Sequence, residues 1–527
     1  MPTFNLADLF EIVVDAAGDR EAIVAGERRL TYNALDERSN RLAHHLAGLG
    51  VGEGSHVGLQ MVNGTEYAEG MLACFKLRAI PVNVNFRYVA DELKYLFDDA
   101  DIAVTITNEQ FADRVEAIRG DLPKLQRVIV VERDYEDRLA SSSPERDFGP
   151  RASDDLYIAY TGGTTGLPKG VIWRHDDIFF AGMGGGDVFH SGNYIKAPEE
   201  LVERMPEVGL VALATPPFMH VSAHWLLYSV LFGGGKMVVT PQGKFDPKLI
   251  WKLISDEGVN MLIIVGDAMA RPLADELEAN ADSYSTGSLL VIGSGGAVLS
   301  PSTKARLSNL LPTTMITDGY GSSETGTMGT QRMTSGEEAK GARFAMGEAA
   351  RVFDDDLKQV EPGSDVIGRL ARKGHIPLRY HKDPEKTANT FVEVDGERWV
   401  LPGDYAKVLE DGTIELLGRG SVSINTGGEK VYPEEVEAVV KGHPDIADAV
   451  VVGVPDDRWG EKVVVVARPA EGTKPTIEEV QDVCREKLAG YKVPRDLVIV
   501  DEIVRSPAGK TDYRWAKSYA VEKLTPA

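Results

Sequence analysis

From Asn33 to Leu49 apolar residues recur at helical spacing, and Gly50 stands where a helix would stop, so the stretch is predicted to be a helix. Short apolar runs follow at His56–Met61, Ile80–Asn85, Ile102–Ile106 and Arg127–Val131, with helix-like stretches between them at Glu66–Lys76 and Ala90–Asp98. Strand runs separated by helical runs predict an α/β sheet with crossover helices. The rhythm continues through Val208–Thr215, Lys236–Thr240, Met261–Val265 and Leu289–Ile292. From about Gly347 it gives way to short strands with Gly, Pro and Asp turns, which predicts a small β subdomain. A boundary is expected near Gly418-Arg419-Gly420-Ser421. Beyond it the helix Pro433–Lys441, the strands Asp448–Val454 and Lys462–Arg468, and the helix Ile477–Leu488 form a compact α+β unit. No internal repeat or long low-complexity tract interrupts the pattern.

Length fits this division, because 527 residues exceed one ordinary core and call for at least two domains. No run of eighteen apolar residues occurs, so no transmembrane helix is expected. The N-terminus lacks the basic and apolar regions of a signal peptide. Cys74 and Cys484 lack metal-ligand spacing and are expected to be buried thiols in a reducing cytoplasm. The net charge of −24 argues against affinity for nucleic acid or anionic membranes. If the ligands are polyanions, local cations and backbone N–H groups must overcome that background.

The segment from Leu156 to His175 predicts strand, Gly/Thr-rich loop, strand. Backbone N–H groups of Gly162, Gly163 and Gly166, the hydroxyls of Thr161, Thr164 and Thr165, and Lys169 suit phosphate oxygens. The GxxxxGK[ST] loop is absent, since Pro168 precedes the lysine and Gly170 follows it. A plain hairpin turn would need only two to five residues.

This run resembles the signature of the adenylate-forming superfamily, which includes acyl-CoA synthetases, carrier-loading adenylation domains and beetle luciferases, although that family usually has Ser where Gly162 stands. Further motifs follow in the family's order. Gly293-Ser294-Gly295-Gly296-Ala297 resembles the strand end lining the nucleotide face, with Gly295, Gly296 and Ala297 as candidate contacts. Asp318-Gly319-Tyr320-Gly321-Ser322-Ser323-Glu324-Thr325-Gly326 resembles the second ATP motif. The resemblance implies that Tyr320 packs on adenine, Ser323 hydrogen-bonds the α-phosphate and Glu324 holds Mg²⁺, with Asp318, Gly319, Gly321 and Ser322 beside them. A carboxylate suits a hard cation that bridges phosphates. Pro402-Gly403-Asp404 resembles the ribose-binding motif, and the resemblance implies that Asp404 binds the ribose hydroxyls and Arg419 contacts ribose or phosphates. Arg505-Ser506-Pro507-Ala508-Gly509-Lys510 resembles the closing motif, whose Lys510 lies between the substrate carboxylate and the α-phosphate.

By resemblance the chain has a large N-terminal adenylation domain over 1–418, made of α/β sheets with a small β-barrel-like subdomain at about 345–418. A smaller, mobile α+β domain over 419–527 rotates after adenylation and brings the Asn425–Lys430 loop, Lys430 included, to guide the CoA thiol. Ser421 stands where the hinge usually has Asp or Lys. Pro216-Pro217-Phe218-Met219-His220 matches the motif bridging nucleotide and acyl pockets, which makes His220 a candidate for the substrate carboxylate. Relatives that activate amino acids place an Asp just after this motif's aromatic residue, whereas Met219, His220 and Val221 follow Phe218 here, so the resemblance disfavours an amino-acid substrate. Ala223, Trp225, Leu226, Leu227 and the Ala181–Gly186 tract suit a hydrophobic acid. Several stretches look like the bacterial branch that handles fatty acids and sterol side chains. The expectation is a cytoplasmic, AMP-forming acyl-CoA synthetase using ATP, Mg²⁺ and coenzyme A, catalysed by Lys510, His220, Glu324 and Thr165. Homodimer formation stays open. The rivals are an enzyme loading a stand-alone carrier protein, a luciferase-type oxygenase, and a non-catalytic nucleotide-binding protein.

Overall fold

A computed structural model describes residues 2–161, 167–189, 192–240, 245–337, 342–426, 429–456, 459–505 and 510–524. Its contacts divide the chain into two compact units. The first comprises Met1–Ile263, Ser322–Thr327 and Gly374–Phe391; the second comprises Ile264–Gly321, Met328–Lys373 and Val392–Ala527.

In the first unit the predicted runs become a parallel sheet in the order Ile80–Asn83, His56–Gln60, Ile102–Thr107, Arg127–Val130. The crossover helices Thr65–Lys76 and Ala90–Asp99 lie where the sequence indicates them. The helix expected from Asn33 spans Tyr32–Gly48, because Thr31 accepts the Ala34 N–H at 3.2 Å and caps it one residue earlier. A second sheet aligns Val211–Ala214 in parallel with both Met261–Ile264 and Lys236–Val239. Lys236–Val239 in turn pairs with Glu21–Ala25, a strand more than two hundred residues earlier in the chain. The third sheet is antiparallel and carries the phosphate-loop candidates, with Lys169–Arg174 between Leu156–Thr161 and Arg379–Tyr380.

In the second unit Val291–Gly295 runs parallel to Met315–Ser322, with Gly295 opposite Gly319. The β subdomain is a seven-stranded sheet, mostly of antiparallel pairs. Its core gathers Tyr320, Met328, Phe344, Val352, Leu370 and Ala406.

The C-terminal sheet shows how period-two alternation builds two cores. Along Ile446–Asp456 and Gly460–Pro469, Ala449, Val451, Val463 and Val465 face one way, with Val436, Val440, Val480 and Cys484. Val450, Val452, Val464 and Val466 face the other way, with Ala516 and Ala520 of the helix Tyr513–Leu524. Both cysteines are buried and free. Among the described residues, no helix is long and apolar enough to cross a membrane.

Candidate active site

The strands Leu156–Thr161 and Lys169–Arg174 close on the pairs Tyr160 with Gly170 and Thr161 with Lys169. Thr161 and Lys169 bracket the predicted loop in sequence, whereas Gly162, Gly163, Thr164, Thr165 and Gly166 lie outside the described residues. The Lys169 ammonium is ion-paired with Asp383, the residue that caps the helix Pro384–Thr390. Chief among the causes, the hydrogen bond from Lys169 holds the Asp383 carboxyl below its ordinary range.

The turn after Gly321 is held by its own hydroxyls. Ser322 N–H donates to Thr325 Oγ1 at 2.9 Å, and Thr325 N–H returns to the Ser322 carbonyl at 3.1 Å. Trp173 Nε1–H donates to the Ser323 carbonyl at 2.9 Å. Gly326 must be glycine: its φ is +68°, and a Cβ there would stand 2.4 Å from the Ala181 carbonyl oxygen. Within this frame Glu324 is buried to 7% exposure, and Oε1 accepts the Tyr380 hydroxyl at 2.7 Å. Among the described residues, no group of three or more His, Cys, Asp or Glu could cage a metal. A single buried carboxylate is a hard oxygen donor that would suit Mg²⁺, which proteins usually hold through one or two carboxylates.

Asn83 joins the strand Leu156–Thr161 to the Pro216–His220 motif. Its Nδ2 donates to the carbonyls of Tyr160 at 2.8 Å and Met219 at 2.9 Å, and its Oδ1 accepts Tyr160 N–H at 2.8 Å. His220 then precedes the helix Val221–Phe232 as its N-cap residue. Trp225 of that helix packs on Gly182, where a Cβ would meet the indole at 2.8 Å. Behind this apolar wall runs a polar row that the hydropathy pattern does not show. Tyr157 Oη lies 3.0 Å from His224 Nδ1, and His224 Nε2 lies 3.2 Å from Tyr67 Oη, all buried. Burial pushes the His224 imidazole down to about 4, so the ring is neutral at ordinary pH.

In the second unit Gly295 ends its strand, and Gly296 and Ala297 follow it. Asp318 faces inward and pairs with Lys304 at 2.8 Å; burial raises its carboxyl, and the Lys304 cation works against that rise. The Tyr320 ring sits 4.5 Å from that of Phe344, centroid to centroid. Asp404 and Arg419 are partners across a β-ladder, with an ion pair at 3.3 Å. Lys430 lies in the short strand Glu429–Val431 and stands 5.5 Å from the Tyr405 ring centre. The exposed Lys510 comes to the glycine-rich strand end, where its Cε would be 3.5 Å from a Cβ on Gly296.

Tyr380, Asp383 and Asn83 escaped the motif reading, since each acts on residues far away in sequence. Asp383-Pro384 did carry a local signal, a helix cap followed by proline at the first turn.

A family model described as "AMP-binding enzyme" matches residues 10–378, and one described as "AMP-binding enzyme C-terminal domain" matches residues 435–510. The medium/long-chain-fatty-acid–CoA/3-oxocholest-4-en-26-oate–CoA ligase of Mycolicibacterium smegmatis is 47% identical, over 98% of this chain and 97% of its own length. The 3-oxocholest-4-en-26-oate–CoA ligase of Rhodococcus rhodochrous is likewise 47% identical, over 97% of this chain and 95% of its own. The solved anthranilate CoA ligase AuaEII, in complex with anthranoyl-AMP, shares the fold with a TM-score of 0.85 at 23% identity, covering 99% of this chain and 98% of that one.

Proposed function

Because the chain belongs to the AMP-binding enzyme family, we propose that it is an AMP-forming acyl-CoA ligase whose acid is a medium- or long-chain fatty acid or a steroid side-chain acid. The choice of acid is supported by full-length likeness to ligases named for those acids. The chemistry is supported most directly by Lys510 standing at the Gly296 strand end.

In the first half-reaction a carboxylate oxygen of the acid attacks the α-phosphorus of ATP. The new O–P bond replaces the bond to pyrophosphate, giving acyl-AMP. Two anions must approach each other, and Lys510 offsets that repulsion in the transition state. A contact of this kind contributes roughly 3–4 kcal/mol, or about 10²–10³ in rate. Thr161, the Gly162–Gly166 loop, Thr164, Thr165 and Lys169 hold phosphates, and Lys169 leaves Asp383 to do so. Tyr320 packs on adenine beside Gly295 to Ala297 and Asp318 to Gly321, Asp404 takes the ribose hydroxyls, and Arg419 takes ribose or phosphate. Ser323 donates to the α-phosphate, with Ser322 beside it, and His220 orients the acid. Glu324 would hold Mg²⁺, which when bound would supply charge neutralisation on the phosphates.

In the second half-reaction the CoA sulfur attacks the acyl carbon, the bond from that carbon to the bridging oxygen breaks, AMP leaves with the oxygen and its electron pair, and the thiol proton passes to solvent. For this step residues 419–527 move as a domain about a hinge near Ser421, withdrawing Lys510 and bringing Lys430 and its loop to residues 1–418. The buried thiols suit a cytoplasmic setting.

The test separates the half-reactions. Lys510→Ala should lower acid-dependent ATP–pyrophosphate exchange about 10²–10³-fold and largely spare thioester formation from supplied acyl-AMP. A panel of acids read by AMP release should favour long apolar chains or steroid acids, with CoA and not a carrier protein as acceptor. Equal loss of both half-reactions in Lys510→Ala would refute the assigned role.

A further inference from the structure

Arg271 lies on the second turn of the helix Gly266–Asn280, whose first N–H donates to Ser294 Oγ of the glycine-rich strand at 3.1 Å. Its guanidinium is braced from behind, with Nε 3.3 Å from Thr303 Oγ1 and 3.4 Å from Asp267 Oδ2. The other nitrogens reach backbone. Nη1 donates to the carbonyls of Ile446 at 3.1 Å and Ala447 at 2.5 Å, and Nη2 donates to that of Lys441 at 2.7 Å. Lys441 is the C-cap of the helix Pro433–Val440, and residues 446 and 447 open the strand Ile446–Asp456. A helix end presents unpaired carbonyls with partial negative charge, and a rigid five-donor fork suits it better than a point charge.

The next residue, Asp448, continues the series. Arg505 grips its carboxylate, with Nη2 at 2.8 Å from Oδ1 and 2.7 Å from Oδ2, and Nε at 3.2 Å from Oδ2. Ala449 N–H adds a bond at 2.9 Å, and Lys441 Nζ stands 3.7 Å away. The two side chains of the Asp448–Arg505 pair are only 13% and 14% exposed. Arg505 also bridges to Thr511 as an antiparallel pair and donates from Nη1 to Thr511 Oγ1 at 3.1 Å. Residues 506–509 lie outside the described ones, and Lys510 stands immediately before Thr511. Arg271 thus holds the backbone just before Asp448, Arg505 holds the Asp448 side chain, and Arg505 also pairs with Thr511, the residue that follows Lys510.

We propose that Arg271 and the Asp448–Arg505 pair are positioning residues that set Lys510 at the Gly296 strand end for adenylate formation. The inference rests on the role given to Lys510 above. Lysine carries its charge on a flexible four-carbon stem, so its aim depends on the segment that presents it. A misplacement of about 1 Å, caused far from the reacting atoms, can cost on the order of 10²-fold in rate. Three of the Arg271 contacts fall on backbone carbonyls. They therefore fix where the segment stands, whatever side chains it bears.

The experiment measures Arg271→Gln, Arg271→Lys and Asp448→Asn in both half-reactions, alone and with Lys510→Ala. Adenylate formation is read in single turnover, which keeps the slow Lys510→Ala background measurable. Arg271→Gln and Asp448→Asn should each slow adenylate formation about 10–100-fold. Each should change the KM for ATP by less than about twofold, and thioester formation from supplied acyl-AMP by less than about threefold. Arg271→Lys should recover only part of the rate, because it lacks the fork. On the Lys510→Ala background the same substitutions should cost nothing further, since residues acting through one group are not additive. Equal losses in both half-reactions, or a fully additive loss with Lys510→Ala, overturns the inference and leaves the ligase reading standing. Absence of acid-dependent adenylation in the unsubstituted chain takes down both.

Discussion

Tyr380 donates its hydroxyl to Glu324 at 2.7 Å, which leaves one carboxylate oxygen already oriented before any cation arrives. Partners one step behind a metal ligand fix its direction and tune its affinity, typically by 10–100-fold. Tyr380→Phe should therefore raise the Mg²⁺ concentration for half-maximal rate by about tenfold, with the rate at saturating Mg²⁺ within about twofold of the parent. A Mg²⁺ titration of AMP release at fixed ATP checks this, and an unchanged requirement would separate Tyr380 from the metal. Single residues could be singled out in the sequence as candidates where they stood in ordered motifs, as Glu324, Asp404 and Lys510 do, and their roles are the proposals made above. Tyr380 and Asp383 were not, because their partners Glu324 and Lys169 lie far from them in sequence and only the folded sheet brings them together. Lys169 shows a further limit: the motif assigns it to phosphate, while the fold also gives it a resting partner.

The helix Pro433–Val440 meets the strand Ile414–Arg419 at one tight point. A Cβ on Gly418 would stand 2.2 Å from Glu434 Oε2, and the φ of +110° at Gly418 also excludes ordinary side chains. Oε2 itself is sealed from solvent and accepts no hydrogen bond among the described residues. Burial above all, then the charges of Glu437 and Asp404, push the Glu434 carboxyl from 4.5 up to about 8 against the pull of Lys441. Between those values the folded chain holds a proton that the unfolded chain has lost, so stability falls as pH rises from 4.5 towards 8. The contribution is complete below the unfolded value and gone above the folded one. Glu434→Gln should flatten this dependence, so that from pH 5.5 to 8.5 its thermal midpoint drops at least about 2 °C less than the parent's. Parallel pH profiles from matched thermal scans would show that Glu434 does not titrate in that window. Elements were more legible than such junctions. The C-terminal strands betray themselves by strict alternation, whereas Glu21–Ala25 pairs on one side with the neighbouring Arg28–Thr31 and on the other with Lys236–Val239, far along the chain. Long-range pairing of that kind leaves no local period.

Across the whole molecule the net charge is −24, although ATP and CoA are themselves polyanions. Two of the cations assigned to them are engaged within the fold, Lys169 with Asp383 and Arg419 with Asp404. Contact attraction therefore acts only at short range, after an approach through a repulsive field. The screening length is about 30 Å at 0.01 M salt and about 10 Å at 0.1 M, so modest salt removes the repulsion on approach and leaves close ion pairs less affected. At fixed free Mg²⁺, kcat/KM for ATP and for CoA should rise about two- to fivefold between 10 and 100 mM salt. Above that range it should decline as the contact pairs weaken. The singly charged acid should show a shallower rise than CoA, because the effect scales with ligand charge. A monotonic fall for both nucleotides from the lowest salt would mean that the local cations dominate at all distances and that the acidic surface does not govern encounter.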